Sequence, residues 1–276
     1  MRLAQYEQQR TLFLIAVAAA VVALAGGLVA RSVAEEQVSY ADPFDRWPPV
    51  EVAGSARSVG GAPALDKDEA KFLEFVSTDI QRFWAQQFQR GGMAYRPARV
   101  AVFRRRVQTG CGAASSVTGP FYCTLDQTVY LDPTFFRELA VEFKAPGDFA
   151  QAYVIAHEAG HHVQNLTGIT QQVDRWMAEG AAPQNQLSIA MELQADCFAG
   201  VWSHSTYERG LLEEGDAEEA LRAAAAVGDD RIQARTTGRI NPETWTHGSA
   251  EQRLTWFARG FEEGDPTACN TFSRLG

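Results

Sequence analysis

The first long apolar stretch of the chain covers residues 11–30 and contains no charged side chain. At a rise of about 1.5 Å per residue, a helix of this length spans the roughly 30 Å hydrocarbon core of a bilayer. The pattern therefore predicts a transmembrane helix over residues 11–30. Arg2 and Arg10 precede it, whereas two glutamates soon follow Arg31. This charge bias predicts that residues 1–10 form a cytoplasmic N-terminus.

A cleaved signal peptide is the alternative interpretation of the same stretch. Ser32 and Ala34 form a small-x-small pattern of the kind that precedes a cleavage site, but the apolar core exceeds the usual length of about 7 to 15 residues. Both interpretations place the rest of the chain outside the cytoplasm. Residues 31–65 mix Pro, Gly, Ser and single charges without a period, which is typical of a linker.

Helical spacing begins after this linker and is followed by short strand patterns. Apolar residues recur at intervals of three and four until Gly91 and Gly92, which predicts a helix whose apolar stripe packs in the core. The stripe consists of Phe72, Phe75, Val76, Ile80, Phe83, Trp84 and Phe88. Segments rich in β-branched and aromatic residues then predict strands, with a hairpin turn at TLDQ, over residues 100–103, 121–123 and 128–131.

After residue 132 the pattern is helical again. Apolar residues recur at helical spacing in segments at about residues 133–144, 148–166, 184–204, 216–227 and 249–263. Residues 66–276 are therefore predicted to form one α+β domain that is mostly helical and contains a small β-sheet. A hydrophobic content of 46% is enough for a sizeable core.

The charge of the chain argues against one class of partner. A formal net charge of -9 leaves little attraction for phosphate backbones, and no cluster of Lys and Arg alternates with aromatic residues. The basic run FRRRV at 103–107 is predicted to be a solvated strand edge. We therefore expect no nucleic acid partner.

The 4 cysteines fit a compartment outside the cytoplasm, where disulfides form and persist. None belongs to a CxxC pair, so disulfides are favoured over a cysteine zinc site. Several pairings are open. We favour Cys111 with Cys123, because the segment between them looks like a loop that returns onto a strand, and Cys197 with Cys269 would then complete the set. Buried free thiols are the alternative.

The segment HEAGHH at 157–162 places three histidines and one glutamate in an otherwise apolar helix pattern. His157 and His161 lie on one helix face one turn apart, so both rings can bind one ion. His162 lies roughly 140° around the helix from His157 and is predicted to be a packed or supporting histidine. In HExxH the glutamate does not bind zinc but accepts a proton from the water on it, which is the role predicted for Glu158.

A zinc site for hydrolysis needs a third protein ligand and one open position. The segment 188–202 offers Glu192 and Asp196, one helical turn apart and among apolar neighbours. A buried unpaired carboxylate is costly and a metal relieves that cost, so Glu192 is predicted to be the third ligand. Asp196 is predicted to accept a hydrogen bond from a ring N–H of a ligand histidine.

Four separated segments together resemble one known family. The sequences GPFYCTLDQTVYLD, HEAGHHVQ, MELQADC and THGSAEQRLTWFARGF follow one another as in the bacterial neutral zinc metallopeptidases, over about residues 66–272. The resemblance implies a zincin-like metalloprotease domain, similar to gluzincins, behind one N-terminal membrane helix. It implies one zinc ion held by His157, His161 and Glu192. It also implies Glu158 as the catalytic base and Asp196 as the carboxylate that orients a ligand.

Gluzincins also use a later histidine to donate a hydrogen bond to the oxyanion. By this resemblance His247 takes that role, with a nearby tyrosine as an alternative donor. Helix capping or packing is the alternative for His247, since Gly248 and Ser249 form a cap signal. His204 is predicted to lie at the surface, and Arg253 to pair with a carboxylate near the site.

These residues predict a zinc-dependent endopeptidase that hydrolyses peptide bonds with a metal-activated water and Glu158 as general base. We expect a single-pass protein of the bacterial cell membrane whose catalytic domain lies outside the cytoplasm and acts on peptide or protein substrates. A catalytically inactive zinc-binding extracytoplasmic scaffold, or a structural zinc domain with a fourth Cys or His ligand, is the alternative. The strand at 128–131 is predicted to border the cleft and to pair with an extended substrate.

Overall fold

The computed structural model describes residues 52–54, 65 and 67–274 of the chain. All of them belong to the compact unit Arg46–Gly276. The transmembrane helix predicted at 11–30, like the segment before it, lies outside the described residues and stays a prediction. Among the residues that are described, no helix combines the length and the apolar character needed to cross a bilayer.

Helices make up most of the described chain, as the recurring apolar positions predict. They are α1 (Lys67–Arg90), α2 (Pro133–Val141), α3 (Asp148–Leu166), α4 (Ile169–Glu179), α5 (Gln184–Glu208), α6 (Asp216–Ala226), α7 (Asp229–Thr236) and α8 (Ala250–Glu263). Short 3₁₀ turns occur at Ser116–Thr118, Pro242–Thr244, Pro266–Ala268 and Thr271–Arg274. The prediction of a mostly helical α+β fold with a small sheet is confirmed.

The strands are β1 (Val52–Gly54), β2 (Arg99–Val102), β3 (Arg106–Thr109), β4 (Gly112–Ser115), β5 (Phe121–Cys123) and β6 (Thr128–Leu131). One sheet has the order β1-β2-β6-β5, in which β1, β2 and β6 are parallel and β5 is antiparallel to β6. Strands β3 and β4 form a separate antiparallel hairpin. Strand β1 comes from the segment that the sequence predicts as a linker.

Some elements differ from their predictions for local reasons. Helix α5 continues to Glu208, one turn beyond its predicted end. The basic run at 103–107 is not one strand edge, because the chain turns between β2 and β3 at Arg105, whose φ is 66°. Phe75 is 61% exposed, so it does not belong to the core stripe of α1. It lies about 100° around the helix from Val76, which is buried.

Helix α3 is buried on nearly all sides, which explains why its residues are apolar or small all around. It packs against α5 at Gly160, where an added Cβ would lie 3.0 Å from Cα of Ala195. The missing side chain lets the two helices approach closely. Glu192 and Asp196 flank this contact on α5 and therefore face the histidines of α3.

Helices α5 and α8 also touch without intervening side chains. An added Cβ on Gly200 or on Gly260 would collide with the backbone of the other helix. This close contact brings Arg253, at the start of α8, against Asp196 on α5.

Both favoured cysteine pairings are confirmed. Cys111 and Cys123 link the turn of the β3–β4 hairpin to β5, and Cys197 and Cys269 link α5 to the C-terminal tail. The chain contains 4 cysteines, so none is left as a free thiol or as a metal ligand.

Candidate metal centre

Helices α3 and α5 bring three potential zinc ligands to one point. Nε2 of His157 lies 3.2 Å from Oε2 of Glu192, and Nε2 of His161 lies 3.4 Å from Oε1 of Glu192. Nitrogen and oxygen ligands about 2.0 to 2.1 Å from a tetrahedral zinc ion stand roughly 3.3 to 3.4 Å from one another. One ligand atom from each residue lies within 4.8 Å of the other two. The donor types and their spacing therefore fit a zinc ion.

Within the described part of the chain, the group contains three candidate ligands. Among the described residues, no further histidine, cysteine or carboxylate belongs to it. A tetrahedral ion with three protein ligands keeps one position for water or substrate, as in catalytic zinc sites. A structural zinc domain with four protein ligands is therefore disfavoured.

The second ring nitrogen of His157 is held by a buried network. Nδ1 of His157 lies 2.8 Å from Oδ1 of Asp196, which is fully buried. Tyr153 donates from its hydroxyl to the same oxygen at 2.5 Å. Arg253 donates to both oxygens of Asp196, at 2.8 and 2.9 Å. The contacts predicted for Asp196 and Arg253 are thus present, and they orient the ring so that Nε2 faces Glu192.

His161 is oriented from its own helix. Its Nδ1 lies 2.9 Å from Oε1 of Gln164, one turn further along α3. Gln164 is fully buried and donates from Nε2 to the carbonyl of Met191 at 2.7 Å and to Oε1 of Gln194 at 3.1 Å. Since Gln164 cannot turn its amide without losing these bonds, it fixes the tautomer that leaves Nε2 of His161 facing Glu192.

The charges around the site depend on one another. Burial lowers the pKa of His157, but the carboxylates of Asp196 and Glu192 outweigh it and raise the pKa to about 10. Burial raises the pKa of Glu192, but the neighbouring histidines hold it well below its usual value. The pKa of Asp196 is also lowered, because Arg253 and His157 outweigh its burial. Both carboxylates are therefore ionised, as a metal ligand and its support require.

Glu158 lies beside the ligands and has a different environment. Its side chain is 7% exposed and faces the cleft, and it makes no hydrogen bond or ion pair with another described residue. Burial raises its pKa, although the two ligand histidines oppose this shift. A buried carboxylate that has a raised pKa and no hydrogen-bond or ion-pair partner is suited to accept a proton.

The metal centre opens into a cleft of about 940 Å³. Its lining comes from the 3₁₀ turn at Ser116–Thr118, strand β5, α2, α4, the end of α6, α7 and the loop that carries His247. Glu158 and all three candidate ligands line the same cleft, so a substrate there would reach each of them.

His247 lines the cleft on a loop that Asp229 holds in place. Oδ2 of Asp229 accepts from the backbone N–H groups of Thr246, His247 and Gly248, at 2.7, 2.7 and 3.1 Å. Nδ1 of His247 lies 3.2 Å from Oδ1 of Asp229. The bond to Asp229 raises the pKa of His247, against the effect of burial. This geometry fixes Nδ1 and leaves Nε2 without a partner among the described residues.

The remaining histidines lie outside the metal group. His162 is fully buried, with Nδ1 2.9 Å from the hydroxyl of Tyr122 and Nε2 2.7 Å from the carbonyl of Arg96. It is a packed histidine, as predicted. His204, predicted at the surface, is 26% exposed and lies within α5 rather than after it, with its Nδ1 2.6 Å from the carbonyl of Phe261.

Sequence motifs for metal ligands do not predict three residues that hold the site residues in place. Tyr153 lies one turn before His157, and Gln164 lies one turn after His161, so helical spacing alone could have indicated both. Asp229 is far from His247 in sequence and at the start of a helix with few apolar residues. No local pattern points to it.

The helix pair with two histidines and two carboxylates, beside a small sheet, is consistent with a zincin-like domain. The chain belongs to the family described as "Putative neutral zinc metallopeptidase", whose sequence model matches residues 17–272. The family suggests zinc as the ion. The family relationship predicted from the sequence is therefore confirmed.

Two bacterial relatives are similar to the chain in sequence. The chain is 49% identical over 228 residues to the protein "Uncharacterized protein YpfJ" of Escherichia coli, covering 82% of this chain and 78% of that protein. It is 51% identical over 190 residues to "Uncharacterized protein Rv2575" of Mycobacterium tuberculosis, covering 65% and 64% of the two chains. No solved structure gave a significant match.

Proposed function

We propose that the chain is a zinc-dependent endopeptidase. The observation that carries this proposal is the geometry at the cleft. His157, His161 and Glu192 present three ligand atoms at zinc spacing, and the unengaged carboxylate of Glu158 lies beside them. A scaffold that only binds zinc has no need of a buried carboxylate without a partner, because burial of such a group is costly.

Glu158 is the general base of the proposed reaction. When bound, zinc lowers the pKa of water toward about 7 and polarises a carbonyl group. Glu158 accepts the proton that the attacking water loses and passes it to the leaving amine. Its raised pKa helps both steps, since it has to take up the proton and then release it. His157 and His161 are held in place throughout by Asp196 and Gln164.

His247 is the proposed donor to the oxyanion. Tyr122 and Tyr153 also line the cleft, but their hydroxyls are engaged with His162 and Asp196 respectively. His247 has a free Nε2 and a raised pKa, so a protonated ring can donate from that atom. Asp229 fixes the ring from the opposite nitrogen.

The strand that could pair with an extended substrate is β5, not β6. Strand β6 is hydrogen-bonded to β2 on one side and to β5 on the other, so the pairing predicted for residues 128–131 is wrong. Strand β5 is at the edge of the sheet, and Phe121 and Tyr122 on it line the cleft. Among the described residues no backbone hydrogen bond engages its outer edge, which supports substrate binding along this strand.

We place the catalytic domain outside the cytoplasm of a bacterial cell, anchored by residues 11–30. The two disulfides support this location, because such bonds persist in oxidising compartments. Protease added to intact spheroplasts should digest the domain and leave a cytoplasmic marker intact. Protection of the domain to the same degree as the marker would contradict the placement.

Metal content and cleavage, measured together, test the function. The full chain and its Glu158→Gln variant should each bind about one zinc ion, since Glu158 is not a ligand. The variant should lose about 10²- to 10⁴-fold in kcat/KM on an unfolded protein substrate, because it lacks the base. A chelator should abolish cleavage by the parent, and added zinc should restore it.

Glu142→Gln is the matched control, since it makes the same chemical change at an exposed position outside the cleft. It should cleave like the parent. If the parent binds zinc and cleaves none of a broad set of unfolded proteins, the inactive extracytoplasmic scaffold becomes the better account.

A further inference from the structure

Residues 80–125 differ in charge from the rest of the chain. They contain seven arginines and no aspartate or glutamate, whereas the whole chain has a formal net charge of -9. The rest of the chain is therefore more acidic than this total. A local excess of one charge attracts oppositely charged partners to that region, whatever the net charge of the protein.

Three of these arginines lie at the open end of the β3–β4 hairpin. Residues 104–106 are all arginine and lead from β2 into β3. The backbone N–H of Arg105 donates to Oγ of Ser116 at 2.8 Å, and the backbone N–H of Ser116 donates to the carbonyl of Arg105 at 2.9 Å. These bonds hold the three arginines beside the 3₁₀ turn Ser116–Thr118. We call residues 104–106 together with this 3₁₀ turn the arginine turn.

The charges of the arginine turn are not neutralised within the described part of the chain. None of its three guanidinium groups forms an ion pair with a described aspartate or glutamate, whereas Arg209 and Arg253 each pair with an aspartate. Arg105 and Arg106 are also exposed. The φ angle of Arg105 is 66°, a left-handed conformation that glycine or asparagine adopts at lower cost. The turn thus keeps a cation where a smaller residue would be less strained.

Exposed apolar side chains lie close to these charges. Val117 in the arginine turn is 97% exposed. Leu125, in the turn between β5 and β6, is 76% exposed. The residue after it, Asp126, accepts from the N–H of Gly110 in the turn of the β3–β4 hairpin, so the two apolar side chains lie near opposite ends of this hairpin. Apolar side chains among basic ones are typical of surfaces that bind anionic lipids.

The predicted transmembrane helix limits the distance between this region and a bilayer. Strand β1 pairs in parallel with β2, and β2 leads into the arginine turn. Residues 31–51 separate the predicted helix from β1, and a chain of that length spans at most about 70 Å even when it is fully extended. A tether of this kind raises the effective concentration of the arginine turn at the membrane surface.

We propose that the arginine turn docks the domain on the surface of a bilayer that contains anionic lipids. The guanidinium groups bind the lipid phosphates, since the planar guanidinium matches phosphate oxygens with paired hydrogen bonds. Val117 enters the headgroup region, where its apolar surface leaves water. Because Ser116–Thr118 also line the cleft, docking brings this part of the cleft lining next to the bilayer. The unneutralised arginines beside an almost fully exposed Val117 carry the proposal.

Quenching of a tryptophan by brominated lipids tests the docking. The full-length Val117→Trp variant is placed in lipid nanodiscs, and its added fluorescence is the difference from the parent chain, which has 6 tryptophans of its own. Brominated acyl chains should quench this fluorescence when about one third of the lipid is phosphatidylglycerol, but not in phosphatidylcholine alone. Ile240→Trp is the matched control, because Ile240 is also exposed but lies after α7, and it should be quenched in neither lipid.

Charge variants test whether the arginines hold the turn on the lipid. Arg104→Gln, Arg105→Gln and Arg106→Gln together, in the Val117→Trp chain, should weaken docking about 10²-fold and abolish the quenching. The matched control replaces three other exposed arginines by glutamine and should leave the quenching unchanged. These control positions are Arg137, Arg222 and Arg239. Added salt should reduce the quenching of Val117→Trp, because it screens the attraction between exposed charges.

The outcomes do not depend on the proposed endopeptidase function, since neither zinc nor cleavage enters the measurement. No quenching of Val117→Trp, equal quenching in both lipids, or equal quenching of Ile240→Trp overturns the proposal. Binding of polyglutamate through residues 104–106 without any quenching also overturns it and assigns the arginine turn to acidic polypeptides. If the full chain does not insert into nanodiscs, the same quenching is measured after its addition to vesicles of the two compositions, with the same criteria.

Discussion

His157 and His247 both line the cleft, and each is held through Nδ1 by an aspartate. The two aspartates are stabilised in different ways. Asp196 is fully buried and its charge is balanced by the guanidinium of Arg253. Asp229 lies at the start of α7, and its charge is stabilised by the ring of His247 and by backbone N–H groups of the loop that carries it.

This difference separates the two halves of the site. The Asp196 network joins α3, α5 and α8, so its loss affects both the metal centre and the core. The Asp229 contacts join α7 to one loop, so their loss affects the position of His247 and leaves the metal ligands in place. We therefore expect changes around Asp196 to alter zinc binding and stability together, and changes around Asp229 to alter catalysis without zinc binding.

Asp196→Asn should have the largest effect. It removes the negative charge but leaves the Arg253 guanidinium in the core, and breaking a buried ion pair costs about 3 to 5 kcal/mol. The variant should also bind zinc about 10- to 100-fold more weakly, because His157 loses its carboxylate support. Urea unfolding of the zinc-free proteins and zinc titration with a competing chelator measure the two effects.

Asp79→Asn provides the comparison, since Asp79 also pairs with an arginine, Arg209, whose side chain is 42% exposed, and accepts from the indole N–H of Trp202. Solvent screens a partly exposed pair more strongly than a buried one, so this change should cost less stability than Asp196→Asn. It should leave zinc affinity unchanged. If both variants lost the same stability and neither lost zinc affinity, the buried network would have no special role at the metal centre.

His247→Phe should give the next largest effect, and only on catalysis. Removal of one donor to an oxyanion costs about 10²- to 10³-fold in kcat. The zinc content and the urea midpoint should stay near those of the parent, because the ring is half exposed and binds no ligand residue. Steady-state cleavage of a peptide measures the change. Full activity of the variant would assign the oxyanion to another donor and leave His247 with the alternative role of packing.

Asp229→Asn should destabilise the loop by about 1 to 3 kcal/mol, because bonds to a charged acceptor are stronger than those to an amide. Burial raises the pKa of Asp229, but its bonds with His247 and the backbone lower it below the ordinary value of 3.8. A lowered pKa means that the ionised form stabilises the fold above that ordinary value and that this contribution is lost as the pH falls below it.

The stability difference between the parent and Asp229→Asn should therefore be constant near neutral pH and shrink below about pH 4. Urea unfolding between pH 3 and 7 measures it, with Glu142→Gln, at an exposed position outside the cleft, as the control. A difference that grows as the pH falls would contradict the assigned sign.

The same contrast explains how much of the site could be predicted from the sequence. His157, His161 and Glu158 lie within one helix, so the helical period places them without knowledge of the fold. Glu192 stands out as a carboxylate among apolar residues. The contact between Asp229 and His247 joins two distant segments and depends on how α7 packs, which no local pattern records.

Local sequence patterns also predict only part of the fold. The long helices α1, α3 and α5 have strong apolar patterns and were predicted nearly to their observed ends. Helix α7 has almost no apolar residues, and its first turn is fixed by contacts such as the bond from the Ala250 N–H to Asp230. The β3–β4 hairpin is held by the pairing of its two strands with each other and by the Cys111–Cys123 disulfide. Tertiary contacts, rather than local preference, determine these elements.

Ser249→Ala should give the smallest effect and tests whether the two halves are coupled. Ser249 caps α8 between His247 and Arg253, with its side chain accepting from the N–H of Gln252 at 3.1 Å. Loss of such a cap costs about 0.5 to 2 kcal/mol. The close contact of Gly260 with α5 should hold the rest of α8 in place, so zinc affinity should stay at the parent value while urea stability falls. A parallel loss of zinc affinity would mean that the cap also positions Arg253 against Asp196, and the boundary between the two halves would then lie at His247 itself.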